Sequence, residues 1–340
     1  MRKIKSIFFF TIMGLVGMKS YGQKEFLSTK INGVNYVSPQ NDAEFGRMKA
    51  IKRINAHWVS LTPFTFLNDN DPIFEFDSTR NWMGDSIDGI KRLIKEAKDN
   101  GFKLMLKPHF IMEDLNWVGD FDLSNKNWIV WEENYTNYIL TLAQMAEKYN
   151  VEILCVGTEF KNSVNERPEY WKQLISDVRE VYSGKLTYAA NWDNYYNIKF
   201  WADLDFIGLD AYFPLSPKLE PILEELEKSW GSIVKKIGKI AVDNDKQVIF
   251  TEYGYRSIDG ACWEQWRIES VPSDELVNLE AQTIGYQALY NSVWDSNWMA
   301  GGFIWKWYPD DKSVDGDAHS NYSPQNKPAE DIVKEVYFKK

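Results

Sequence analysis

The sequence predicts a single-domain α/β fold, a (β/α)8 TIM barrel, from three observations. Short apolar runs alternate with longer amphipathic segments about eight times, the order expected of a parallel sheet covered by helices. Several of these runs are apolar at every position, as strands buried on both faces must be. No G-x-G-x-x-G follows the first run and no G-x-x-x-x-G-K-[ST] occurs anywhere, so the nucleotide signatures of open doubly wound sheets are missing. Residues 23–340 carry no Pro/Gly/Ser-rich linker and are long enough for one barrel of about 250 residues with insertions.

Taken in order, the predicted strands are Ile31–Val37, Ala56–Leu61, Phe102–Lys107, Ile153–Gly157, Leu186–Ala190, Phe206–Leu209, Gln247–Thr251 and Gly302–Trp305. After the second, Ile87, Ile90, Ile94 and Ala97 recur at helical spacing and end at Asn100-Gly101, where glycine closes a helix by taking the left-handed conformation. Tyr135, Tyr138, Leu142, Met145 and Tyr149 mark a helix after the third strand. Leu223, Leu226, Trp230, Ile233, Ile237 and Ile240 mark one after the sixth, and Leu276, Leu279, Thr283, Tyr286 and Tyr290 one after the seventh. The segment after Leu186–Ala190 is shorter and less periodic, which makes the fifth helix the least supported.

Ahead of the barrel, Met1 to Lys5 supply three basic side chains and Ile7 to Met18 form an apolar run, the layout of a secretory signal peptide over residues 1–22. The run is shorter than the roughly 20 residues a membrane span needs, and Ser20 and Gly22 offer a cleavage point before Gln23. The expected location is secreted or periplasmic, with no membrane insertion after cleavage. A net charge of −10 argues against nucleic acid or an anionic membrane as partner. A monomer is the default expectation. Cys155 and Cys262 are the only cysteines, with Cys155 inside an apolar run, so a disulfide framework is not expected.

His57, His109 and His319 show no paired metal-ligand spacing, so no metal is expected. Asp310, Asp311, Asp315 and Asp317 share one loop, but not with the spacing of an EF-hand. Fifteen Trp, 18 Tyr and 19 Phe make up 15% of the chain, and aromatic faces exposed in a cleft suit the C–H faces of sugar rings. Trp82, Trp117, Trp192, Trp263 and Trp266 fall in strand-to-helix loops and read as such platforms. Trp128, Trp131, Trp171, Trp230 and Trp294 follow helical patterns and read as packing.

In a (β/α)8 barrel the reacting groups project from the carboxyl ends of the strands. Here the third strand ends in Lys107-Pro108-His109, the fourth in Thr158-Glu159-Phe160 and the fifth in Asn191-Trp192-Asp193. The sixth ends in Asp210-Ala211-Tyr212, the seventh in Glu252-Tyr253 and the eighth in Trp305-Lys306-Trp307. Glu159 and Glu252 each follow a run that should be buried, and strands four and seven face one another across the barrel mouth. Two carboxyls about 5–5.5 Å apart are what cleavage of a glycosidic bond with retention requires. One must stay ionised and the other must carry a raised pKa, a split that their mutual repulsion favours.

The glutamate pair resembles that of the retaining hydrolases of clan GH-A. More narrowly, Val156–Phe160, Asp205–Tyr212, Thr251–Tyr255 and Gly302–Tyr308 are similar to glycoside hydrolase family 113, the β-1,4-mannanases, over about Ile31 to Tyr308. The resemblance implies an endo-acting enzyme on β-mannan or manno-oligosaccharides, a covalent glycosyl-enzyme and no cofactor. It carries Glu159 over as acid/base and Glu252 as nucleophile, Trp305 as the floor beneath the sugar, and Tyr212 as a hydrogen-bond donor to Glu252. Asn191, Trp192, Lys107, His109 and Asp210 join them as candidate substrate contacts. Thr158 departs from the pattern: much of the clan has Asn before the acid/base, binding the sugar 2-hydroxyl. That contact falls to Lys107, His109 or Asn191. β-Glucanase, xylanase, exo-β-mannosidase and a sugar-binding barrel without turnover stay open.

Overall fold

The computed structural model describes residues 29–68, 71–77, 82–112, 117–267, 277–310 and 319–339. The leader, Leu276, Asp311, Asp315 and Asp317 lie outside the described residues. Among these described residues ten strands form: β1 (Ile31–Tyr36), β2 (Trp58–Leu61), β3 (Phe64–Leu67), β4 (Lys103–Leu106), β5 (His109–Met112), β6 (Ile153–Thr158), β7 (Lys185–Asn191), β8 (Phe206–Asp210), β9 (Gln247–Tyr253) and β10 (Met299–Trp307). Eight of them close a parallel barrel in the order β1-β10-β9-β8-β7-β6-β4-β2. These eight are the predicted strands, no end shifted by more than three residues.

The helices are α1 (Ile87–Asp99), α2 (Asn125–Lys148), α3 (Lys161–Glu166), α4 (Pro168–Val181), α5 (Leu223–Asn244), α6 (Leu279–Val293) and α7 (Pro328–Lys339). Ser86 caps α1 by accepting from the Gly89 N–H, and Gly101 at φ +74 closes it as the sequence predicts. Between β7 and β8 two short 3-10 turns, Tyr195–Asn197 and Trp201–Asp203, stand where a fifth helix was expected. The segment is too short and too aperiodic to lay one apolar stripe on the barrel. A 3-10 segment, Met48–Ile54, also replaces an α-helix between β1 and β2.

The barrel interior is plugged at its amino end by Ile31, Trp58, Met105, Ile153, Phe206, Ile249 and Phe303, which form one buried cluster. A second, larger cluster fills the layer between strands and helices, and Trp128, Trp131, Trp171, Trp230 and Trp294 all lie in it. His57 precedes β2 at this same amino end, half-buried and away from the mouth. Cys155 and Cys262 are both buried and free.

Strict alternation does not hold along the two strands that carry the glutamates. From Cys155 to Thr158 strand β6 advances three residues while β7 advances two. Strand β9 does the same against both neighbours: Phe250 and Glu252 pair with successive residues of β8, and Phe250 and Tyr253 with Gly302 and Ile304. Each strand thus holds one extra residue just before its mouth, a bulge that re-aims the side chain beyond it. On β9 the interior-facing Ile249 and the helix-facing Val248 and Phe250 would otherwise send Glu252 outward with Phe250. On β6 the bulge includes Gly157, where a Cβ would meet the Trp171 ring at 2.7 Å. Glu159 follows at φ +58, a left-handed conformation that costs a non-glycine residue about 1–2 kcal/mol.

Candidate active site

At the carboxyl mouth, Glu252 is 4% exposed and accepts hydrogen bonds on both oxygens. Oε1 takes the Lys107 ammonium, and His109 Nε2 stands 2.8 Å from the same oxygen. Oε2 takes the Tyr212 hydroxyl at 2.7 Å. Burial alone would raise the Glu252 pKa, but the Lys107 charge and the His109 bond outweigh it and hold the carboxyl at about 2. Burial, then the Lys107 charge, push the His109 pKa below its ordinary value, and its Nε2–H donates to the ionised Glu252.

Glu159 has the opposite environment. Burial, then the negative charge of Glu252, raise its pKa to about 7, against a hydrogen bond from Trp117 Nε1 to Oε2 at 2.5 Å. One carboxyl is therefore ionised at neutral pH while the other sits at the edge of protonation, and both line one cavity of about 720 Å3. Trp117, Trp192, Trp266, Trp305 and Tyr322 supply its aromatic walls, within the usual size and composition of small-molecule sites.

Lys107 follows β4, two residues beyond the interior-facing Met105, and is fully buried. It faces two carboxyl groups, Glu252 and Asp210, the latter 3.6 Å away. Burial opposes its charge, and Asp210 and Glu252 together raise its pKa above the ordinary lysine value. Asp210 takes the Thr251 hydroxyl at 2.7 Å on Oδ1, while Oδ2 has no hydrogen-bond partner among the described residues. Burial, then the Glu252 charge, push Asp210 well above the ordinary carboxylate range.

Lys107→Met is expected to leave Glu252 buried without its cation, at a cost of about 3–5 kcal/mol in stability. Because Lys107 is what depresses the Glu252 pKa, its loss moves the acidic limb of activity upward in pH. Denaturant melts and a pH–kcat/KM profile measure both effects. An unchanged acidic limb would remove Lys107 from this role.

The other predicted contacts divide into two groups. Asn191, Trp192, Tyr212 and Trp305 line the cavity, with Asn191 Nδ2 also bonded to Asp193 at 3.0 Å. Lys107 and Asp210 lie fully buried beneath it, and His109, its ring 5.5 Å from that of Trp305, touches both Trp305 and Glu252. Thr158 is 2% exposed and donates to the Pro108 carbonyl at 3.1 Å. Its hydroxyl is spent on joining β6 to the end of β4. Of the loop tryptophans, Trp263 is exposed and, among the described residues, lines neither of the two cavities that meet at Trp305.

Sequence reasoning missed Tyr322, which stacks edge-on against Tyr212 at 5.7 Å, and Glu264 and Arg267 on the cavity rim. Tyr322 comes from a segment beyond the last strand, where no periodic signal exists. The sequence marks Trp117 only as a platform, and its bond to Glu159 arises from the fold.

Two carboxyls of unequal proton affinity, held in one aromatic-walled cavity, suit the cleavage of an acetal between sugars. The fold and this site together define an O-glycosyl hydrolase of the (β/α)8 type. The sequence profile of Glycoside Hydrolase Family 113 matches residues 30–327, and the chain belongs to that family.

Among solved structures, the chain is similar to the GH113 beta-mannanase of Alicyclobacillus acidocaldarius in complex with ManMIm. That match has 23% identity and a TM-score of 0.78, over 91% of this chain and 97% of that one. A GH113 beta-1,4-mannanase complex aligns at 23% identity and TM-score 0.78, over 92% and 99%. The beta-glucuronidase of Ruminococcus gnavus shares the barrel at 12% identity and TM-score 0.60, over 91% of this chain and 50% of that one. At these identities the likeness shows the fold. No curated protein matches the chain.

Proposed function

We propose that this chain is an endo-acting β-1,4-mannanase that works with retention, with Glu252 as nucleophile and Glu159 as acid/base. The observation that carries this reading is the split between the two carboxyls, about 2 against about 7, over one cavity. Glu252, ionised, attacks the anomeric carbon while Glu159 gives its proton to the departing glycosidic oxygen. Glu159, now a carboxylate, then takes a proton from water, which attacks the same carbon and releases the sugar from Glu252. Tyr212, Lys107 and His109 hold Glu252 in place through its three hydrogen bonds and lower its basicity, which helps it leave in the second step.

Mannan as substrate is supported by the β-mannanase structures to which the fold is similar. Thr158, which stands where much of the clan has Asn, has its hydroxyl engaged by the Pro108 carbonyl, so the 2-hydroxyl contact falls to another group. His109, bonded to Glu252 and beside Trp305, is the group we assign to the axial 2-hydroxyl. Endo action is supported by cavities on both sides of Trp305. We place the enzyme outside the cytoplasmic membrane on the strength of its basic and apolar leader, residues 1–22.

Product analysis tests the reading. Mannohexaose is expected to be cut internally, cellohexaose to resist, and the first-formed product in NMR to be the β-anomer. A first-formed α-anomer would sink the two-step mechanism, and release of mannose from one end only would replace endo with exo action.

A further inference from the structure

Three segments meet beside Glu159: the start of α3, the short turn Val118–Asp120 with Trp117 ahead of it, and the residues that follow β7. Lys161 opens α3 two residues beyond Glu159, and its N–H donates to the Glu159 carbonyl at 2.7 Å. Its ammonium lies over the Trp117 ring, 5.5 Å from the centroid, within the reach of a cation–π contact. The same ammonium pairs with Asp193 Oδ2 at 2.8 Å. Asn162, the next residue of α3, donates to the Asp120 carbonyl at 3.1 Å, so the first two residues of this helix grip both ends of segment 117–120. Trp117 in turn donates Nε1–H to Glu159 Oε2 at 2.5 Å.

The Trp117 indole is folded back over its own turn. A Cβ added to Gly119 would meet three atoms of that ring at 2.4 to 2.5 Å, far inside van der Waals contact, and a rigid indole yields only by moving as a whole. Glycine at this position therefore lets the ring lie where Lys161 covers it and where Nε1 reaches Glu159. The hydrogen bond favours the ionised form of Glu159, against burial and the charge of Glu252 on β9. Lys107, after β4, acts in the same sense as Trp117, and Asp193 in the same sense as Glu252. Asp210 on β8 and Tyr322 face Glu159 as well, and Asp120, Glu264 and Arg267 share its cavity.

A group that gives a proton in one step and takes one in the next works best when its proton affinity stays near the working pH. Resting on the reading of Glu159 as acid/base, we propose that Lys161 and Gly119 are positioning residues that hold the Trp117 indole against Glu159, and that this clamp keeps the carboxyl able to release its proton. Lys161 also balances the charge of Asp193, which would otherwise add to that of Glu252. Loss of the clamp therefore makes Glu159 a weaker acid by both routes.

Carbon-13 NMR of the Glu159 carboxyl, assigned by the loss of its signal in Glu159→Gln, and the alkaline limb of kcat/KM read one titration in two ways. Gly119→Ala changes no charge but puts a methyl where the ring lies, and Lys161→Met removes the cation over it. Each is expected to move both readings upward by at least about half a pH unit. Lys161→Arg keeps the charge and can stack on the indole, and should stay within about 0.2 unit of wild type. Trp117→Phe, which lacks the donor, should shift the titration upward too, and adding Gly119→Ala to it should move it no further. A Glu159 titration left in place by Gly119→Ala or by Lys161→Met would overturn the proposal. So would a fall in activity equal at every pH, which a merely structural role produces. The NMR titration needs no turnover, so it decides on the clamp independently of the acid assignment, which fails separately if the alkaline limb persists in Glu159→Gln.

Discussion

Glu252→Gln is expected to lower kcat on β-mannan by at least about 10⁴-fold, the scale on which loss of an activated nucleophile is felt. The amide can neither form the glycosyl ester nor supply the negative charge that stabilises the developing oxocarbenium ion. The fold should survive. The carboxamide oxygen can still accept from Lys107 and His109, and its NH2 can donate to the Tyr212 oxygen, so the three partners seen for Glu252 remain engaged. Asp210, 3.6 Å from Lys107, can take over the balancing charge by ionising. Steady-state kinetics beside a thermal melt separate the two effects. A correctly folded variant within tenfold of wild type would remove Glu252 from the chemistry.

Glu159→Gln is expected to cost about 10²–10⁴-fold on mannan, where the leaving oxygen needs a proton. An aryl glycoside with an acidic phenol as leaving group should lose far less in the first step. The pH profile gives a second readout. With Glu159 as the proposed acid, which acts in its protonated form, and with its pKa raised to about 7, kcat/KM should fall as pH rises through about 7. Glu252 must be ionised, and its pKa is lowered to about 2, so the acidic limb lies at the far acidic end. The variant should lose the alkaline limb altogether, and its persistence would assign that limb to another group. The same burial means that folding stability contributed around Glu159 declines as pH climbs through the folded pKa, because the native state holds the extra proton.

All eight barrel strands could be read from the chain because strands covered by helices on one face and by each other on the other must be apolar throughout, and such runs stand out. The glutamates were legible for the same reason: a carboxylate at the end of such a run needs a task. Strands β3 and β5 were not, since four-residue runs such as Phe64–Leu67 sit just past a proline that reads as the end of the preceding strand. The missing fifth helix was signalled by weak periodicity between Ala190 and Phe206. Tyr322 and the Trp117–Glu159 bond were invisible because they join parts of the chain far apart in sequence. Thr158 looked like a sugar contact only because of its place beside Glu159, and its bond to Pro108 depends on how two strands meet.

The extra residue in β6 and in β9 gives the site an unusual kind of rigidity against change. Where a carboxyl sits on a regular strand, a neighbouring position two residues away offers the same outlook, and a lineage can shift the group up or down by substitution. Beyond a bulge that equivalence fails: two residues before Glu252 the Phe250 side chain packs in the helical layer, and one step on Tyr253 does the same. Altering the gap between the two carboxyls therefore calls for insertion or deletion in the backbone, and each such change realigns a whole strand end. The spacing of the two carboxyls is in this sense written into residue count, and the surrounding loops are free to drift without disturbing it.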